Sequence, residues 1–332
     1  MPQPKNDAEL AASIKALADT LAAAGRFSGS IYLAKDGVAL VEAAWGLSDR
    51  AKHVPNTPDT AYDIGSIGKL ITQTAVLQLA EQGKLQLDDP IGKYLKDYPN
   101  PGIAAKVTLR QLLLHTSGLG DIFDHITPDT NLAGMTELKD FLPLFGNRPL
   151  EFEPGTRNRY SNAGYIVLGL VIEAVGGENY FEYVPRHILA PAGMTRSGFF
   201  NRSQLPATVA RSYHGADDMT GMHPGRGTPA GGLHASASDL AHLVMAINDG
   251  RLLKPQSVSL LNGFLPRPPG GPPIPAGRLM AYGIEGGAPG VNAHLVVDPS
   301  GHYTRVVLCN GEPPMAASMG FTIREWIRNL PK

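Results

Sequence analysis

Between residues 7 and 24, Leu10, Ile14, Leu17 and Leu21 recur at spacings of three and four. That rhythm predicts an amphipathic helix. Two apolar stretches follow, residues 30–33 and 38–44, separated by the turn signal Lys35-Asp36-Gly37. They predict an antiparallel hairpin. A matching pair stands near the other end, residues 294–297 and 303–308, around Asp298-Pro299-Ser300-Gly301, and a helix over about 316–329 closes the chain. One antiparallel sheet built from both ends and flanked by the terminal helices is the economical arrangement. A further helix is predicted over residues 67–82. Its apolar face of Leu70, Ala75, Val76, Leu79 and Ala80 is widened by Ile67, Ile71 and Leu77. A helix apolar over most of its circumference is a buried one, and Gly83 suits its left-handed C-terminal position.

Ser66 stands at the start of that buried helix, after a short mixed segment, residues 60–64, and Gly65. A serine becomes a nucleophile when a nearby base takes its proton. Residues three apart share a helix face, so Lys69 is placed beside Ser66. Burial lowers a lysine pKa toward the range where it acts as a base. The helix N-terminus favours an alkoxide and offers a backbone N–H to a developing oxyanion. No other serine in the chain has a lysine three positions on. Tyr160-Ser161-Asn162 supplies a hydroxyl able to relay a proton and an amide able to hold a carbonyl. A second Tyr-x-Asn, Tyr98-Pro99-Asn100, lies among proline and charged neighbours and reads as a loop.

These motifs sit in a longer series of blocks. Phe27-Ser28-Gly29-Ser30, Gly83-Lys84-Leu85-Gln86-Leu87-Asp88-Asp89-Pro90, Leu112-Leu113-Leu114-His115-Thr116-Ser117-Gly118-Leu119, Phe152-Glu153-Pro154-Gly155, Gly231-Gly232-Leu233 and Gly286-Gly287-Ala288-Pro289-Gly290 follow one another along nearly the whole chain. In order and spacing they resemble the serine beta-lactamase and penicillin-binding-protein-like superfamily, in its class C-related branch of D,D-peptidases, D-aminopeptidases and esterases. The resemblance implies a mixed α/β (α+β) transpeptidase-like fold in a single catalytic domain spanning 1–332. In that fold residues 1–88 and 233–332 form the sheet part, 89–232 a mostly helical subdomain, and the active site lies in the cleft between. It also implies roles. Ser66 would be the acylated nucleophile, Lys69 its base and Tyr160 the proton shuttle. Asn162 would hold the acyl-side amide of the substrate and orient Lys69. The backbone N–H groups of Ser66 and Gly287 would form the oxyanion hole.

One block departs from the family pattern. Aligning Gly286-Gly287 puts Ile284-Glu285 where relatives carry Lys-Thr or His-Gly, and the hairpin before it is short. The missing cation normally attracts a substrate carboxylate, and Glu285 would repel one if it faced the site. Ile284, Glu285 and Gly286 are therefore expected to border the substrate. The expected activity is that of an esterase on small uncharged esters, with weak or no beta-lactamase activity. Arg226 and His294 are the alternatives that could supply a cation from elsewhere. A D-aminopeptidase, a D,D-peptidase, a beta-lactamase and an acyltransferase remain open, as does a penicillin-binding sensor that acylates without turnover.

Composition narrows the picture further. Twenty-nine basic and thirty acidic residues leave a net charge of −1, so no basic surface points to nucleic acid. No apolar run reaches the ~18–20 residues of a membrane span. The lone Cys309, in an apolar strand-like run, excludes an intrachain disulfide framework and reads as structural. The histidines form no metal-binding spacing, no cofactor is implied, and no Gly-x-Ser-x-Gly elbow is present. His115 and Asp239 read as structural. Small ester, amide or lactam substrates are the expected partners. Without a leader pattern in this sequence, the cytoplasm is the expected location.

Overall fold

The computed structural model describes residues 2–127, 129–267, 274–298 and 302–331. Residues 268–273, half of the proline- and glycine-rich stretch at 266–277 that its composition marks as a loop, lie outside these residues, as does the 299–301 turn.

The two predicted hairpins share one sheet. Helix α1 (Asp7–Ala23) is N-capped by Asn6, whose side chain accepts from Glu9 N–H, as the frequent Asn and Asp caps do. It leads into β1 (Gly29–Lys35) and β2 (Val38–Trp45). A two-residue strand, β3 (Tyr62–Asp63), precedes α2 (Gly68–Glu81). In the middle of the chain lies α3 (Asn162–Gly176), followed by β4 (His234–Ala235) and α4 (Ala237–Asn248). The chain finishes with β5 (Ala281–Ala288), β6 (Val291–Val297), β7 (Tyr303–Cys309) and α5 (Met315–Arg328).

The sheet order is β2-β1-β7-β6-β5, antiparallel throughout, so the N- and C-terminal strands meet where β1 pairs with β7, Ile31 opposite Val307. Alternation sorts its two faces. Ile31, Leu33, Val307 and Cys309 pack with Leu10, Ile14, Ile323 and Trp326 of the terminal helices. Tyr32, Ala34, Val306 and Leu308 face a larger core built around α2. Cys309 is buried in the first cluster, and burial pushes its thiol well up. That is the behaviour of a packing residue.

Helix α2 runs through the larger core. Leu70, Ile71, Val76, Leu77 and Leu79 are all at most 1% exposed. Burying each side chain contributes about 1.5–3 kcal/mol. Polar donors on it find partners inside: Thr72 Oγ1 donates to Pro229 O at 2.7 Å, and Gln73 Nε2 to Tyr165 Oη at 2.7 Å. This is the condition under which polar groups are tolerated in a core. Helix α3 packs against α2. The Tyr98-Pro99-Asn100 decoy resolves as expected: Tyr98 is buried, and Asn100 caps a short helix, Pro101–Lys106. The long apolar stretches contain no helix able to cross a membrane among the described residues.

Candidate active site

Gly65–Ile67 forms a single 3-10 turn ahead of α2, so Ser66 stands one turn before the α-helix rather than within it. The turn is pinned from below by Asp63, whose Oδ1 accepts from Gly65 N–H at 2.8 Å. Gly65 is at φ +49°, and a Cβ there would come within 2.9 Å of the Gly286 backbone and of Gly287 N. Only glycine allows this approach. It brings the edge strand β5 against the nucleophile turn.

Lys69 points back from the first turn of α2. Its Nζ lies 3.2 Å from Ser66 Oγ and 2.8 Å from Asn162 Oδ1, and it also donates to Ala230 O. All three ammonium donors are thus used, with the side chain 6% exposed. Burial drives the Lys69 pKa down to about 7, against a smaller opposing pull from Asp121. Near neutral pH the amine is therefore available in its neutral form. That form donates twice, to Asn162 and Ala230, and its lone pair faces the Ser66 hydroxyl.

Tyr160 arrives from the other side, with Oη 2.6 Å from Ser66 Oγ. Its ring stacks on His115 at 4.6 Å and lies under Lys69 Nζ at 4.7 Å. Burial raises the Tyr160 pKa; the Ser66 hydrogen bond opposes that rise and the Asp121 charge adds to it. The two candidate bases are thereby separated: the lysine is shifted toward neutrality and the phenol is held protonated. Pairs pushed apart in this way sort into base and acid.

Ser161 N-caps α3, its Oγ accepting from Gly164 N–H at 3.1 Å and donating to Gly120 O at 2.9 Å. Asn162 then opens the helix facing Lys69. Its orientation is fixed by Asp121, which accepts from Asn162 N–H at 2.8 Å and from Nδ2 at 2.9 Å. Asp121 stands outside the residues expected from sequence. The only signal for it is a carboxylate just past the His115–Leu119 block, and nothing local ties it to a helix start forty residues on. His115 accepts from Ser161 N–H at Nδ1, 3.2 Å, and burial with the Lys69 charge lowers its pKa to about 4. It is a neutral ring supporting Tyr160.

Ser66, Tyr160 and Asn162 open onto a cavity of about 300 Å³. Gly287 and Ala288 of β5 border it, with Ile122, Phe123, Ala230, Arg202, His223 and Arg226. The third block needs correction here. Ile284 is buried in the larger core opposite Leu295, Glu285 is exposed opposite His294, and Gly286 packs against Ile64 and Gly65. None of the three borders the cavity. Ile284 and Gly286 share the inward face and Glu285 turns to the other, and the cavity meets β5 only at its last two residues, Gly287 and Ala288. His294 also lies elsewhere, against Gly320 and Phe321 of α5. Arg226 does border the cavity. Beneath it, Arg202 is buried and ion-paired with Asp63 at 2.7 Å. Burial, the largest single influence, would raise the Asp63 carboxyl; Arg202, His234, His223 and the Gly65 N–H together outweigh it and hold the group at about 2. No cluster of three metal-ligating side chains occurs among the described residues.

The family model described as Beta-lactamase matches residues 14–325. The chain belongs to the beta-lactamase family. Within that family, the Bacillus subtilis protein PbpX is 34% identical over 235 residues, 70% of this chain and 57% of that one. Penicillin-binding protein 4* of the same organism is 28% identical over 204 residues, 61% of this chain and 44% of that one. The chain spans about half the length of these curated relatives. Among solved structures, the penicillin binding protein from Bacillus halodurans superposes with a TM-score of 0.79 at 31% identity, covering 92% of this chain and 98% of that one. EstCE1, a hydrolase with promiscuous acyltransferase activity, superposes at 0.76 and 21% identity, covering 97% and 99%. The fold is the expected mixed one, antiparallel sheet with helices, and this beta-lactamase-family chain carries the apparatus of a serine hydrolase.

Proposed function

We propose that this beta-lactamase-family chain hydrolyses small carboxylic esters through an acyl-Ser66 intermediate, with weak or no beta-lactam turnover. One observation carries the reading: Ser66 Oγ stands between Lys69 Nζ and Tyr160 Oη, while β5, beside it, presents no cation to the cavity. Neutral Lys69 takes the Ser66 proton as Oγ bonds to the substrate carbonyl carbon. The carbonyl electron pair moves to oxygen, where the backbone N–H groups of Ser66 and Gly287 receive it; one such donor is worth about 10²–10³ in rate. As the ester C–O bond breaks, Tyr160 gives its proton to the leaving alkoxide and regains one from the Lys69 ammonium. Water then attacks the acyl carbon, its proton passing to the Tyr160–Lys69 pair, and Ser66 leaves with a proton restored.

A carboxylate beyond the scissile bond, as in penicillins and peptidoglycan peptides, would meet Ala288 and the bare edge of β5 rather than a lysine or histidine. The names of the Bacillus relatives favour a second reading, a penicillin-binding protein that acylates slowly. A paired assay with p-nitrophenyl butyrate and nitrocefin, with intact-mass detection on wild type and Ser66→Ala, separates the two. Ester turnover that disappears in a folded Ser66→Ala, with negligible nitrocefin hydrolysis, is the expected result. Nitrocefin turnover comparable to that of the ester would overturn the substrate reading. A stable adduct without turnover would favour the second, and full activity of Ser66→Ala would remove the nucleophile.

A further inference from the structure

Arg226 is half-buried at the wall of the cavity that holds Ser66. Its guanidinium lies over the Phe181 ring at 4.3 Å, and no carboxylate or carbonyl of the described residues pairs with it. The stack fixes the plane of the group and leaves its N–H fork open. Among the described residues, the only acid bordering the cavity is Asp63, already held by Arg202 at 2.7 Å. The cavity therefore carries one uncompensated positive charge. The border of the same cavity also includes the apolar side chains of Ile122 and Phe123.

The position of that charge matters. Gly225 N–H donates to Leu132 O at 3.1 Å, and Phe181 belongs to the short helix Tyr180–Val184, so Arg226 is anchored on the helical side of the cleft. Strand β5, where the family cation would stand, is on the sheet side. A planar guanidinium with open donors is suited to bidentate carboxylate recognition, and partial desolvation strengthens it.

Resting on the ester-hydrolase reading, we propose that Arg226 anchors a carboxylate on the acyl portion of the substrate, so that the preferred substrates are half-esters of short dicarboxylic acids. The apolar residues Ile122 and Phe123 take the methylene spacer between the anchored carboxylate and the carbonyl at Ser66. The uncharged substrate expected from Ile284 alone is thereby replaced by one that is neutral on its leaving side and anionic on its acyl side.

The test is a matched pair of ethyl esters of equal length, monoethyl glutarate and its neutral counterpart, ethyl glutaramate, with ethanol release followed at pH 8. Wild type should favour the anionic ester in kcat/KM. Arg226→Gln should lower kcat/KM for monoethyl glutarate by about 10- to 100-fold, the scale of one hydrogen bond to a charged group. It should leave the neutral ester within about threefold, and Arg226→Lys should recover part of the loss. Equal loss on both esters would make Arg226 a packing residue, and an unchanged ratio would remove the anchor. A wild type that cleaves the neutral ester and not the anionic one overturns the inference while the hydrolase reading stands, with no variant needed. Cleavage of neither ester overturns the hydrolase reading and this inference with it.

Discussion

Tyr160→Phe isolates one atom. The Tyr160 hydroxyl is 2.6 Å from Ser66 Oγ. The ring's own contacts, the stack on His115 at 4.6 Å and the Lys69 ammonium at 4.7 Å, are ones a phenyl group keeps. Tyr160 is 47% exposed, so removing its oxygen leaves no cavity in the core; stability should stay within about 0.5 kcal/mol of wild type, read as an unchanged melting temperature. If the hydroxyl carries the proton to the leaving group, kcat should fall by about 10²–10⁴, the contribution of a positioned general acid, or roughly 3–5 kcal/mol of barrier. The pH profile assigns the groups. Lys69 must be neutral, so kcat/KM of wild type should rise as pH passes about 7, where the buried lysine loses its proton. It should fall again once Tyr160 ionises, above the ordinary phenol value of about 10 because burial raises it. Tyr160→Phe should keep the limb near 7 and lose the alkaline one. Stopped-flow and steady-state hydrolysis of p-nitrophenyl butyrate across pH 5–11 would read both. Activity within about threefold of wild type would refute the shuttle, and loss of the limb near 7 would refute Lys69 as its source.

Three further perturbations follow from the same geometry. Asp121→Asn removes a negative charge that favours the Lys69 ammonium, so the acid limb should move below about 7 while kcat/KM falls about tenfold as Asn162 loses its anchor; a limb moving upward would contradict the assignment. Gly286→Ala would drive a methyl group into the Ile64 carbonyl and push β5 from the nucleophile turn, so kcat should drop about 10²-fold with little change in acylation site by mass spectrometry; wild-type kcat would mean the hole does not involve Gly287. Arg202→Met leaves Asp63 buried and unpaired beneath Ser66, and chemical denaturation should show a loss of about 3–5 kcal/mol; an unchanged midpoint would show that water already reaches the pair.

The parts of the molecule legible in the sequence are those set by local rhythm. The terminal helices, the two hairpins and the buried helix each follow from periodicity, and their assembly into one sheet follows from the need to cover apolar faces on both sides. The pair Ser66 and Lys69 was legible because three residues separate them on one helix. What could not be read was lateral. Asp121 acts on Asn162 across forty residues, and Arg202 acts on Asp63 across more than a hundred; neither pairing leaves a local mark. Ile284 shows a different limit. Alignment placed it at the cation position, but strand phase and the tight packing of Gly286 on Ile64 turn it into the core. A position in a motif specifies a side chain's neighbours only when the backbone around it keeps its register.

That shift separates two functions within the cleft. Every group proposed to move a proton belongs to α2, to the turn just before it or to the segment opening α3, and these are held by hydrogen bonds: Lys69 to Asn162, Asn162 to Asp121, Ser161 to Gly120. The borders proposed to meet substrate are the edge strand β5 and the loop carrying Arg226, and each meets the turn through closely packed glycine backbone. Gly231 touches Gly65, and Gly286 touches Ile64, with no side chain between. Apart from the glycines that make those contacts, side chains on either border can therefore change without disturbing the distances around Ser66 Oγ. On the proposed mechanism, losing a cation from β5 would alter which substrate is held and leave Lys69 and Tyr160 where they were. The same separation explains why a loss of selectivity and a loss of chemistry should be measurable apart: Arg226→Gln should act mainly on KM for one ester, and Tyr160→Phe on kcat for all of them.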